Sequence, residues 1–172
     1  GVRRSQCGDL FRSHFGAAFP FEAFHASWRL HFWRVAENRV AMKPGVPELL
    51  DLLDQARLPR AIATSSSAPT VARHLTTHGL TDRFDQIVCR GDYEHGKPAP
   101  DPFLAAARRL GVEPRFCLAL EDSPIGVRSA SAAGMMTVMV PDLLEPTEAL
   151  AALCVLVARD LHQVHDLVQA SL

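Results

Sequence analysis

From Arg60 onward, short apolar runs rich in Ile and Val alternate with helix-patterned segments, and this alternation constrains the fold more than any other feature of the chain. The runs are RAIATS (60–65), QIVCR (86–90), FCLALE (116–121), MTVMVP (136–141) and CVLVAR (154–159). Each is too short for a helix and apolar on both faces of an extended chain, the pattern of a strand covered on both sides. Between them, APTVARHLTTHG closes at Gly79, DPFLAAARRLG opens on Asp101 as N-cap and closes at Gly111, and SPIGVRSASAAG opens on Ser123 and closes at Gly134. A side-chain oxygen at a helix start satisfies an orphan amide, proline suits the first turn, and glycine reaches the left-handed conformation that ends a helix. Strands alternating with such helices predict an α/β fold, a Rossmann-like parallel sheet with helices on both faces.

The first 40 residues differ. They carry six of the nine phenylalanines and both tryptophans. Phe24, Trp28, Phe32 and Val35 recur at helical spacing, which predicts a helical module apart from the sheet with an apolar stripe turned to a core. MKPGVPELLDLL then leads into the α/β body through Pro44 and Gly45, read as a hinge.

Composition narrows the function classes. With 172 residues and 48% hydrophobic, the chain can bury one real core. A formal net charge of −1 leaves no basic stripe for a nucleic-acid backbone. No apolar run approaches the roughly 18 residues that span a bilayer, and GVRRSQCGDL lacks the apolar centre of a signal peptide. The expectation is a cytoplasmic protein, monomer or weak dimer, with no nucleic-acid or membrane partner. Cys7, Cys89, Cys117 and Cys154 form no CxxC pair and read as reduced thiols, Cys89 and Cys117 buried in strands. The eight histidines show no metal-binding spacing.

Chemistry gathers where strands end, because ligands of open parallel sheets sit beyond the carboxyl ends of the strands. Thr64-Ser65-Ser66-Ser67 ends the first run, Lys97 follows the second after a loop, and Glu121-Asp122-Ser123 ends the third. Singly, these are a turn, a solvated lysine and a helix cap. Lys97, however, is one of two lysines beside sixteen arginines, and a compact ammonium suits a narrow site for one phosphate oxygen where a planar fork does not. Adjacent carboxylates ending a buried strand repel and lose hydration unless a cation or donors meet them. Hydroxyls, one lysine and two carboxylates therefore suggest one place where a phosphate and Mg²⁺ meet.

ATSS, GKPAPDPFLAAARRLGVEP and LEDSPIGVRSASAAGM, in that order, resemble the second, third and fourth motifs of the haloacid dehalogenase superfamily, in its phosphatase and phosphomutase branch with a small helical cap. The resemblance implies residues 1–42 as the C-terminal part of a helical cap and 43–172 as a phosphatase core lacking its first strand. It implies that Thr64 binds the transferring phosphate with Ser65 and Ser66 beside it, and that Lys97 neutralises phosphate and nucleophile. Asp122 would bind Mg²⁺ directly, Glu121 through water. The implied activity is Mg²⁺-dependent hydrolysis, or mutase transfer, of a small phosphorylated metabolite such as a sugar phosphate, through an aspartyl-phosphate. It further implies a cis bond between Lys97 and Pro98. GVRR resembles the cap's substrate loop, with Arg4 a specificity candidate beside its reading as a solvated helix-start arginine.

The first motif, DxDGT or DxDST, is absent from these 172 residues. The nucleophilic aspartate and its acid/base partner are therefore missing, and the chain by itself is expected to be inactive. A non-catalytic relative that binds a phosphorylated ligand or a protein is the alternative. A nucleotide-binding Rossmann domain is disfavoured because no GxGxxG follows a strand. Without the first-motif strand, the strands ending at Thr64 and at Glu121 are expected to be separated by a gap.

Overall fold

A computed structural model describes residues 4–36 and 40–172, which divide into two units, 1–41 and 42–172. In the first unit, α1 (Arg4–Phe15) and α2 (Phe21–Ala36) are joined by a short turn at Gly16, whose φ of 96° needs a residue without Cβ. Phe11 lies at the centre of an aromatic cluster, with ring centroids 5.2–5.8 Å from Phe15, Phe19, Phe21 and Phe24. The apolar stripe departs from its expected role. Phe24, Trp28 and Phe32 are 42%, 52% and 42% exposed, although Phe24 touches the cluster around Phe11. Trp28 and Phe32 stack on each other at 5.4 Å instead.

The second unit is an α/β body. Its elements are α3 (Val46–Gln55), β1 (Ala61–Ala63), α4 (Ala68–Thr77), β2 (Gln86–Val88), α5 (Asp101–Leu110), β3 (Leu118–Glu121), α6 (Pro124–Ala132), β4 (Met136–Met139), α7 (Glu148–Ala151), β5 (Leu156–Val157) and α8 (Leu161–Gln169). Every pairing is parallel. The period-two alternation sends side chains to both faces. Ile62 and Ile87 meet Val71 and Leu75 of α4, while Ala61, Ala63 and Val88 meet Ala105 and Ala106 of α5. In β4, Val138 faces Leu49 of α3 and Val164 of α8, and Met139 faces Val127 of α6 and Leu150 of α7. Helices thus cover both faces, as the alternation of runs implied.

The strands form two sheets. One holds β1 and β2, the other β3, β4 and β5, and β1 does not pair with β3. The separation expected between the strands ending at Thr64 and Glu121 is present. Phe103 of α5 bridges it by packing with both Ala63 and Ala119.

Local signals hold in most places. Ser123 caps α6, its Oγ accepting the Gly126 amide at 3.1 Å, with Pro124 in the first turn. Gly79, Gly111 and Gly134 follow α4, α5 and α6 with φ of 66°, 70° and 77°. Asp101 is a correction: Pro100 occupies the cap, and Asp101, already helical, turns its carboxylate to the His95 amide at 3.0 Å. Cys89 is buried just beyond β2, but Cys117 is only half-buried and precedes β3, because a 3-10 turn at Pro114–Phe116 delays the strand. Gly45, read as part of a hinge, starts α3 at φ 88°, and a Cβ there would meet the backbone of Leu161 and His162 at 2.6–2.8 Å. Among the described residues no helix is long and apolar enough to cross a membrane.

Candidate functional site

The three polar groups singled out in the sequence all lie at carboxyl ends of strands. Beyond β1, the Thr64 amide still donates to the Val88 carbonyl at 2.9 Å, and the chain then turns as Thr64 Oγ1 accepts the Ser66 amide at 3.1 Å. The Arg90 amide donates to the Ser66 carbonyl at 2.9 Å, and the Tyr93 hydroxyl to the Thr64 carbonyl at 3.0 Å. The hydroxyl-bearing turn is therefore held by the loop that carries Lys97.

That loop is itself anchored at both ends. Asp92 Oδ2 accepts the Cys89 amide at 2.8 Å, and Arg109 reaches the same carboxylate. The amide hydrogen bond first, then Arg109, holds the Asp92 carboxyl below its ordinary range. Asp101 is lowered likewise, first by the His95 amide and further by the His95 ring at 3.1 Å. Burial pushes the Cys89 thiol up. The Lys97–Pro98 bond is cis, as the resemblance implied.

Lys97 joins the two sheets. Its Nζ donates to the Ala63 carbonyl at the end of β1, 3.0 Å away, and to Glu121 Oε1 at the end of β3. Both side chains are only 8% exposed. Nζ also lies 4.7 Å from the centre of the Phe103 ring, whose electron-rich face favours a cation. An ammonium has three donors, so one remains after Ala63 and Glu121 are served. Glu121 Oε2 accepts the Ser123 hydroxyl at 3.4 Å, and Gly126 lies so close to this carboxylate that a Cβ would overlap it.

Asp122 is exposed, and no partner of its carboxylate appears among the described residues. Among those residues no group of three or more His, Cys, Asp or Glu could hold a metal. The donor set nevertheless fits Mg²⁺, a hard cation content with one or two carboxylates while waters and a phosphate oxygen complete its shell. Glu121 is engaged on both oxygens, whereas the Asp122 carboxylate is open.

Thr64, Lys97 and Glu121 thus come to one edge, with Lys97 bonded to the residue before Thr64 rather than to its hydroxyl. Arg4 begins α1, and its side chain lies outside the described residues. Sequence reasoning missed Tyr93, Phe103 and Gly126. Tyr93 is the only tyrosine in the chain, four residues before Lys97, a signal that could have been used. The roles of Phe103 and Gly126 depend on neighbours far along the chain and left no such signal. A separate cavity, lined by Asp54, Arg57, Arg60 and Asp85 among others, lies near residues that precede β1 and β2, away from this edge.

The family model for haloacid dehalogenase-like hydrolases matches residues 16–140. The chain belongs to this family. It is similar to a Drosophila melanogaster protein described as "Probable pseudouridine-5'-phosphatase", 41% identical over 148 residues, which are 83% of this chain and 64% of that protein. It is 32% identical over 154 residues to the fructose-1-phosphate phosphatase YqaB of Escherichia coli, covering 74% of this chain and 81% of that one. The crystal structure of CbbY from Rhodobacter sphaeroides in complex with phosphate superimposes with a TM-score of 0.74 at 28% identity, covering 87% of this chain and 68% of that one. The chain spans less than two thirds of the first of these relatives and about half the length of several other curated relatives.

Proposed function

We propose that this chain provides the phosphate- and Mg²⁺-holding part of a phosphohydrolase acting on a small phosphorylated metabolite, a sugar phosphate. The observation that carries the reading is the position of Lys97, whose ammonium joins the carboxyl ends of β1 and β3 with one donor to spare. Thr64, Ser65 and Ser66 offer hydroxyl and amide donors, and Lys97 offsets the charge of the phosphoryl oxygens. Donors fixed beforehand stabilise developing charge without reorganising as it develops. Asp122 would hold Mg²⁺ directly and Glu121 through water; when bound, the ion neutralises charge on the transferring group. In the complete enzyme an aspartate from outside these 172 residues attacks phosphorus and the bond to the metabolite's oxygen breaks. That oxygen leaves with a proton, and water then hydrolyses the acyl phosphate. Residues 1–42 act as part of a cap, with Arg4 a specificity candidate beside its reading as a solvated helix-start arginine, and 43–172 as the core. The substrate class is supported by two relatives named for removing phosphate from a pseudouridine phosphate and a fructose phosphate.

A second reading is a relative that binds a phosphorylated ligand or a protein without catalysis. One titration followed by one addition separates the two. The purified chain is expected to bind inorganic phosphate, more tightly with Mg²⁺, as seen by ³¹P NMR, without turning over fructose 1-phosphate. Adding a polypeptide that carries a DxDGT strand should then restore turnover, whereas binding that stays silent supports the second reading. A chain that takes up no phosphate with or without Mg²⁺ contradicts both.

A further inference from the structure

We propose that Tyr93 is a positioning residue of the phosphate site, acting through the Thr64–Ser65 peptide; this rests on the reading of Thr64, Ser65 and Lys97 as phosphate ligands. The Tyr93 hydroxyl donates to the Thr64 carbonyl at 3.0 Å, and its ring packs with Val88, Ala105 and Ala106, so the donor is held from below by β2 and α5. Among the described residues the only cis bond is Lys97–Pro98, so Thr64–Ser65 is trans. In a planar trans peptide the C=O and the following N–H point in opposite directions. Fixing the Thr64 carbonyl toward Tyr93 therefore turns the Ser65 amide to the other side.

Ser65 is a half-buried residue, and its amide has no acceptor among the described residues. With no acceptor on the amide, the orientation of this peptide is held at its carbonyl. Tyr93 supplies that hold. Beside it, Thr64 Oγ1 already accepts the Ser66 amide, which leaves its own proton free to donate. Lys97 Nζ sits on the Ala63 carbonyl, one residue earlier. The Ser65 amide, the Thr64 hydroxyl and the third Lys97 proton are thus three uncommitted donors within three residues of β1's end, a set suited to a tetrahedral oxyanion. One loop sets two of them, Lys97 directly and Ser65 through Tyr93.

The test is Tyr93→Phe in the full 172-residue chain, which deletes one oxygen and keeps the ring in its packing. In phosphate-free protein the Ser65 amide resonance should shift, while the unfolding midpoint falls only by the small amount that one neutral hydrogen bond carries. Affinity for inorganic phosphate should fall about fivefold, the change that one neutral hydrogen bond carries. A purely structural tyrosine would lower the midpoint to the same extent and leave the Ser65 amide alone. An unchanged Ser65 amide in the variant overturns the role of Tyr93. A moved amide with unchanged phosphate affinity overturns its link to the site. A parent chain that takes up no phosphate defeats the phosphate reading, and the Ser65 amide then still decides whether Tyr93 orients the peptide.

Discussion

Lys97 and Glu121, 24 residues apart in sequence, meet as an almost fully buried ion pair across the gap between two sheets. Removing one partner of such a pair leaves an uncompensated charge, whereas replacing both with apolar groups can be nearly neutral. Lys97→Met is therefore expected to lower stability by about 3 kcal/mol. Adding Glu121→Leu should recover most of that loss in urea unfolding, yet phosphate binding should be lost in both variants. Recovery of binding together with stability would show that the pair is structural only.

Gly126 lies inside α6, where alanine normally stabilises by about 0.5–1 kcal/mol. Here a Cβ overlaps the Glu121 carboxylate and must push it off Lys97. Gly126→Ala is expected to lower the melting temperature and to weaken phosphate binding. A higher melting temperature in the variant would contradict the close packing.

Asp122 is exposed, and exposed substitutions usually change stability by less than about 0.5 kcal/mol. Asp122→Asn should leave the unfolding curve in place while abolishing the Mg²⁺ enhancement of phosphate binding, measured by ³¹P NMR with and without the ion. An enhancement equal to that of the parent chain would place the metal elsewhere.

Asp54, Asp92 and Asp101 have carboxyls held below their ordinary range, by the Arg60 guanidinium, the Cys89 amide and the His95 amide respectively. A depressed folded-state value means that the folded form binds fewer protons than the unfolded one. The stabilisation is present at neutral pH and is lost as pH falls below the ordinary carboxylate value of about 3.9. Acid unfolding followed by circular dichroism should begin in that window, and Asp92→Asn should flatten the slope.

Strand β4 is paired on both sides, whereas β1 and β3 each have one edge facing the gap. Unpaired edges open easily. Amide exchange is expected to be slowest at Val138 and Met139 and faster in Ala61 to Ala63. Equal protection in β1 and β4 would mean that the gap edge is closed in solution.

What the sequence determined by itself is local. Short Ile- and Val-rich runs, the Ser123 cap and the glycines at 79, 111 and 134 specify strands and helix ends because hydrophobic period and backbone freedom act within a few residues. Lys97, Glu121 and Asp122 were legible as candidates for the same reason, each standing out against its immediate surroundings. Tertiary structure decided the rest. Lys97 reaches a carbonyl 34 residues earlier, Tyr93 one 29 residues earlier, and Asp101 turns from a cap to an anchor for His95. The stripe of Phe24, Trp28 and Phe32 has helical spacing, but whether a helix face is covered depends on what packs against it, and these three side chains stay 42%, 52% and 42% exposed. Contacts between distant segments follow from how the layers stack, and no periodicity within one segment encodes them.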